Sequence, residues 1–268
     1  MPPLRGLVDA GFDVALVVSG ADRRRGRGSA TSPSPVKAAA LELGLPVTSR
    51  VDDVLGRGAD LGVVVAFGRL IKPHVLADVP MLNLHFSLLP RWRGAAPVER
   101  ALLAGDEETG VCLMQLEEGL DTGPLYGCER VAIGPEEGLD ELRGRLVDAG
   151  TDLLLRSLRE GLGSPVPQEG EVTYAAKLEP GELRLDWSRP AVELHRVVRL
   201  GRAWTTFRDG RLRVLRARVV DGGELSAGVM AAGEGALELL EVQPEGKRPM
   251  SAAAWLAGAR PQPGERLV

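Results

Sequence analysis

Cysteine is scarce: the 268 residues include only Cys112 and Cys128. Two cysteines in a chain this long make no disulfide framework, and nothing beside them has the spacing of a metal site. They read as buried free thiols of a reducing compartment, and no metal is expected. Long apolar runs are missing too. None approaches the roughly 20 residues of a membrane span, so no membrane association is expected. The opening Met1-Pro2-Pro3-Leu4-Arg5 has no basic stretch followed by a long apolar one. It does not read as a signal peptide, and the expected location is cytoplasmic. Net positive charge is also lacking: the balance is −4 and the pI is near 5.6. By itself that speaks weakly against a nucleic-acid partner, but a phosphate backbone responds to the local field. The basic residues, almost all Arg, are grouped: Arg23, Arg24, Arg25 and Arg27 form one set, and Arg211, Arg213, Arg216 and Arg218 another.

What is present is the composition of a soluble globular protein, 44% hydrophobic and 26% charged. The length suffices for one large domain or two ordinary ones. Residues 4–10 suggest a short helix closed by Gly11, and 13–18 a β-branched strand buried on both faces. A polar, Gly- and Arg-rich loop spans 19–34, long enough to suggest function. Helical pattern returns at 35–43, 96–103 and 137–160, and strand pattern at 59–67, 81–86, 110–116 and 125–133. This alternation predicts a Rossmann-like, mostly parallel α/β sheet over residues 1–160, with a ligand site outside the carboxyl ends of its strands. Residues 161–183, rich in Gly, Pro and Glu, read as a linker. Residues 184–268 carry one helix (191–200) and short strands at 203–207, 212–220, 228–232 and 236–242. They suggest a small OB-like β-barrel domain.

Asn83 and His85 alternate on the strand at 81–86, so their side chains project to one face near its carboxyl end. Asp121 lies in the glycine-bounded loop Gly119-Leu120-Asp121-Thr122-Gly123. An amide, an imidazole and a carboxylate in one cleft suit acyl transfer. The amide can hold a developing oxyanion, the imidazole can move a proton, and the carboxylate can orient the imidazole. Taken singly, a histidine on a strand is more often a satisfied core residue and an aspartate beside Thr-Gly more often a turn former, so spacing alone leaves the reaction open.

The run NLHFSLLPRWRGAAPVERALLAGDEETGVCLMQLEEGLDTGPLY, residues 83–126, closely resembles the folate-dependent formyltransferases. Among them it is most similar to those that act on methionyl-tRNA. The segments GRGSATSPSPVK (26–37), VTYAAKL (172–178) and LRLDW (183–187) extend the resemblance over nearly the whole chain. It implies a catalytic set of Asn83, His85 and Asp121. It implies transfer of the formyl group of 10-formyltetrahydrofolate to the α-amine of initiator methionyl-tRNA, releasing tetrahydrofolate. Ser87, Leu88, Leu89 and Pro90 resemble the folate-binding tetrapeptide, and Phe67, Arg69, Leu70, Leu76 and Leu116 would line the pterin pocket. Arg27, with Arg25, would reach the tRNA acceptor stem, and the barrel would bind the inside of the tRNA. No obligatory protein partner is evident.

The sequence departs from the family at two points. The family begins with a strand and a Gly-Thr-Pro turn, whereas Met1-Pro2-Pro3-Leu4 already resembles the helix that follows. The first strand is missing, and a start codon further upstream or a shortened protein would each account for it; the intact motifs favour the former. Between Leu200 and Trp204 the chain reads only Gly-Arg-Ala, where a longer Pro-containing turn is expected. Three other functions stay open. They are formyl transfer to a sugar nucleotide or glycinamide ribonucleotide, hydrolysis of formyltetrahydrofolate, and a truncated, non-catalytic binding remnant.

Overall fold

The computed structural model describes residues 1–24, 31–222, 227–262 and 264–268. In chain order come α1 (Pro2–Asp9), β1 (Val17–Val18), β2 (Arg23–Arg24), β3 (Thr31–Ser32), α2 (Pro35–Glu42) and β4 (Val47–Thr48). Next are β5 (Gly62–Val65), α3 (Pro73–Asp78), β6 (Met81–His85), β7 (Arg93–Gly94), α4 (Pro97–Ala104), β8 (Glu108–Gln115) and β9 (Leu125–Ala132). The long α5 (Leu139–Glu160) and β10 (Tyr174–Ala175) follow, then α6 (Ala191–Arg199), β11 (Trp204–Phe207) and β12 (Gly210–Val220). The chain ends with β13 (Val229–Ala231), β14 (Ala236–Pro244), β15 (Met250–Ser251) and α7 (Ala252–Ala259). It forms two compact units. The first comprises residues 1–97, 109–131 and 144–175, and the second residues 98–108, 132–143 and 176–268.

Local chemistry sets several boundaries. At α2 the Ser34 hydroxyl accepts the Lys37 N–H at 3.1 Å, Pro35 occupies the first turn, and Gly44 closes the helix at φ 69°. The apolar run at 59–67 is a strand only over Gly62–Val65, because Ala66 (φ 47°) and Gly68 (φ 67°) turn left-handed. Helix α3 and the β7–β10 ladder were not anticipated from periodicity, since each is too short to show one, and α7 was not because its sequence, AAAWLAGA, is apolar nearly all round.

In the first unit the strand order is β5-β6-β8-β9. β5 and β6 are parallel (Val64↔Asn83), but β6 and β8 are antiparallel (His85↔Cys112). The sheet is therefore mixed where a mostly parallel one was expected. Hydrophobic period reports that a strand is buried, not which way it runs. β1 pairs in parallel with β4, and among the described residues no ladder joins that pair to β5. One face of β6 buries Leu82 and Leu84 against Val111, Leu113, Leu153 and Leu154. Full burial of such a side chain is worth about 1.5–3 kcal/mol. That face locks the register and leaves the alternate residues, Asn83 and His85, on the other side.

The reading of Cys112 and Cys128 as free thiols is corrected. They form a disulfide between the adjacent strands β8 and β9, with Cα atoms 4.1 Å apart. Their separation of 16 residues spans a strand, a loop and a strand, and only the register of the two strands brings them together.

The second unit is an antiparallel sheet in the order β11-β12-β14-β13, with β15 also on β14. Its core gathers Leu194, Val197 and Val198 of α6 with Leu212, Val214, Leu237, Leu239, Val242 and Trp255. A bulge on β12 between Val214 and Ala217 reverses its alternation. Leu212, Val214 and Ala217 are buried, and the four arginines 211, 213, 216 and 218 all lie on the outer side, although their numbering is of mixed parity. No helix among the described residues is long and apolar enough to cross a membrane.

Candidate active site

β6 delivers Asn83 and His85 at its carboxyl end. His85 is only 5% exposed. Its Nε2 lies 2.9 Å from the carbonyl oxygen of Trp92, so that nitrogen carries the proton and donates. Its Nδ1 lies 3.5 Å from Oδ2 of Asp121. Burial pushes the imidazole below its ordinary value, opposed by the Asp121 charge and the Trp92 carbonyl. The neutral ring is thus the resting form, with its unprotonated nitrogen facing the carboxylate. No side-chain hydrogen bond engages Asn83 among the described residues, and its amide is half-buried.

The backbone around these groups is tightly specified. Ser87, fully buried, donates to the Arg91 carbonyl at 2.6 Å, across a cis Leu89–Pro90 peptide. Trp92 then adopts φ 63°, which turns its carbonyl to His85, and its N–H donates to Thr173 Oγ1 at 2.8 Å. β7 pairs in parallel with β10, and the Gly94 N–H donates to Asp121 Oδ2 at 2.8 Å. Gly94 has φ 119°, and a Cβ there would sit 3.0 Å from the Ala175 carbonyl oxygen. Asp121 itself is left-handed at φ 50°. The turn carrying it closes on Gly123, where a Cβ would lie 2.0 Å from the Gln115 carbonyl oxygen.

Asn83, His85 and Asp121 are the residues the sequence singled out, and the structure brings His85 and Asp121 into contact while β6 holds Asn83 on the same face. Of the tetrapeptide, Ser87, Leu89 and Pro90 are buried, and Leu89 packs with Cys112, Met114 and Leu125. Leu88 is half-buried. Phe67, Leu76 and Leu116 share one apolar cluster with Ile71, Val75, Val79 and Met81. The Arg69 guanidinium lies 4.4 Å over the Phe67 ring and donates to the Ser49 carbonyl. Leu70 stands apart, 79% exposed. A cleft of about 500 Å³ opens beside Gly20, Ala21, Phe67, Gly68 and Arg69, at the carboxyl ends of β1 and β5. Arg25 and Arg27 lie outside the described residues. Sequence reasoning missed Trp92, Gly94 and Gln168 at this site. Their contributions are mainly backbone contacts and a side chain from a stretch that composition presents as a linker.

On the outer sheet face of the second unit, Arg184, Trp204, Arg213 and Gln243 stand in one row across adjoining strands. The Arg184 and Arg211 guanidinium groups lie 5.7 and 4.3 Å from the Trp204 ring centroid, and no carboxylate is within 4 Å of either among the described residues. Arg213 is spent on Gln243 and the Gly201 carbonyl, Arg218 pairs with Glu238, and Arg208 with Glu265.

The family model for formyl transferase matches residues 7–158, and that for the formyl transferase C-terminal domain matches residues 177–260. The chain is 46% identical over 302 residues to a methionyl-tRNA formyltransferase of Methylobacterium sp. strain 4-46, covering 100% of this chain and 96% of that one. In fold it is similar to an N-formyltransferase of Helicobacter canadensis solved with folinic acid and dTDP-3-aminofucose. The TM-score is 0.68 at 14% identity, over 88% of this chain and 94% of that one. It is also similar to HypX of Aquifex aeolicus solved with tetrahydrofolic acid, with TM-score 0.60 at 16% identity over 85% of this chain and 45% of the other. With family models covering both parts of the sequence and close identity along its whole length, the chain belongs to the formyl transferase family.

Proposed function

We propose that the chain transfers the formyl group of 10-formyltetrahydrofolate to the α-amine of methionine esterified to initiator tRNA, as a cytoplasmic enzyme of translation initiation. The observation that carries this reading is the contact of His85 Nδ1 with Asp121 Oδ2 at 3.5 Å, on the strand face that also presents the Asn83 amide, which has no side-chain hydrogen bond among the described residues. The 46% identity to a methionyl-tRNA formyltransferase supports the choice of acceptor. The tetrahydrofolic acid bound to HypX supports folate as donor.

Asn83 donates an N–H to the formyl oxygen as attack of the amine makes the carbon tetrahedral. The amine must lose a proton and the departing folate nitrogen must gain one. The His85–Asp121 pair takes up the first through water at Asp121, the more exposed of the two, and returns it as the C–N bond breaks. A proton on Nδ1 converts the 3.5 Å approach into an attractive ion pair, so the pair holds it without a large rearrangement. The apolar cluster of Phe67, Leu76 and Leu116, with Arg69 at the adjoining cleft, suits a flat heteroaromatic ring with a polar edge. Leu70 and the segment Ser87-Leu88-Leu89-Pro90 complete the folate set in this reading. Residues 184–268 act as an OB-like tRNA-binding domain, and Arg25 and Arg27 reach the acceptor stem.

The test is an assay of the purified chain with methionyl-tRNA and 10-formyltetrahydrofolate. Formyl-methionyl-tRNA is the expected product. Tetrahydrofolate release without tRNA would replace this reading with hydrolysis, formylation of an amino-sugar nucleotide would replace the acceptor, and no turnover would mark a binding remnant.

A further inference from the structure

We propose that Gln168 is a positioning residue: its amide clamps the turn that carries Asp121 to the segment 92–94, whose backbone holds His85 and the Asp121 carboxylate. This rests on the reading that His85 and Asp121 move the proton in formyl transfer. The Gln168 Nε2 donates to the carbonyl oxygens of Asp121 at 2.9 Å and of Gly123 at 2.8 Å. Its Oε1 accepts from Arg93 Nε at 3.1 Å and Nη2 at 2.7 Å. Both donors and both acceptor positions of one amide are therefore used. The orientation is set by these partners. A reversed amide would aim NH2 at a guanidinium and oxygen at two carbonyls.

What Gln168 joins makes it more than a packing residue. On one side is the turn whose central residue, Asp121, is held left-handed. On the other is Arg93, between Trp92, whose carbonyl accepts from His85, and Gly94, whose N–H holds the Asp121 carboxylate. Through a single side chain the two backbone segments that set the His85–Asp121 distance are tied together. The segment bearing Gln168 is itself anchored at both ends. Val166 exchanges two 2.8 Å backbone bonds with Leu125, and Thr173 and Ala175 accept from Trp92, Arg93, Ala95 and Ala96. Gln168 is only half-buried, and Val166, Pro167, Glu169 and Gly170 around it are exposed, so burial of apolar surface does not account for its place.

The test compares Gln168→Leu, which removes all four bonds, with Gln168→Glu, which keeps the Arg93 contact and loses both donors to the Asp121 turn. Two quantities are read. One is kcat and KM for methionyl-tRNA and the folate. The other is the titration of the His85 ring by NMR, followed among the chain's three histidines, His74, His85 and His195. In both variants kcat is expected to fall, by up to about 100-fold, the scale of an about 1 Å misplacement, with both KM values little changed. The His85 titration is expected to move to lower pH, because the carboxylate that favours the protonated ring is no longer held beside it. A Gln168→Glu protein with wild-type kcat and wild-type His85 titration overturns the proposal, as does a fall in kcat with the titration unmoved, which would mark a structural role only. Should Gln168→Leu fail to fold, Gln168→Glu decides alone. If the wild type formylates no tRNA, the functional reading fails, while the His85 titration still tests the clamp.

Discussion

His85 is held from two sides: Nε2 lies 2.9 Å from the Trp92 carbonyl oxygen and Nδ1 lies 3.5 Å from Asp121 Oδ2. The first contact selects the tautomer and the second supplies a partner for the proton the ring does not yet carry. In the proposed mechanism an imidazole placed this way serves as a proton reservoir shared with a carboxylate, poised by burial to stay neutral at rest.

That poise has a signature in stability. The folded ring titrates below the ordinary histidine value of about 6.5, so just below that pH the unfolded chain binds the proton more readily than the native one. The stability it contributes is present above about pH 6.5 and is lost as the pH falls from there toward the folded midpoint. Urea unfolding at about pH 7.5 and about pH 5.5 is expected to show a smaller acid loss for His85→Gln than for wild type. An equal loss in the two proteins would contradict the assignment.

In the proposed mechanism Asn83 is the oxyanion donor. Asn83→Ala is expected to lower kcat by about 10²- to 10³-fold, equivalent to about 3–4 kcal/mol, while folate affinity measured by calorimetry stays near wild type. A variant that loses folate binding in parallel with kcat would instead make Asn83 a binding residue.

The Cys112–Cys128 bridge predicts a measurable covalent state. Intact mass without reductant should be lower than the reduced mass by two hydrogens. Cys128→Ser should unfold at lower urea, by about 3 kcal/mol for a loop of this length. Two titratable thiols in the unreduced, denatured chain would count against the bridge.

On the second unit, neither guanidinium group at Trp204 has a carboxylate within 4 Å among the described residues, whereas Arg208 is tied to Glu265. Arg184→Ala and Arg211→Ala should each weaken methionyl-tRNA binding and reduce the slope of log affinity against log salt by about 1. Arg208→Ala should leave that slope nearly unchanged. Filter binding over a salt series distinguishes them, and equal slopes for all three would rule out a special role for the Trp204 row.

The division between the two kinds of information is clear in particular residues. Alternation along 81–85 sufficed to place Asn83 and His85 on one face, because the period of a strand is a property of consecutive residues. Motif identity sufficed to nominate Asp121. The direction of β8 against β6, the disulfide, the outward turn of Arg216 and Arg218, and the part played by Gln168 were not readable. Each depends on register or on contact between segments far apart in the chain. Gln168 lies 47 residues from Asp121 and 75 from Arg93, in a stretch whose composition suggests only a tether. The sequence by itself nominated the side chains that the proposed chemistry uses. The tertiary structure alone decided how they are held, since four hydrogen bonds from one amide to distant segments leave no local pattern to detect.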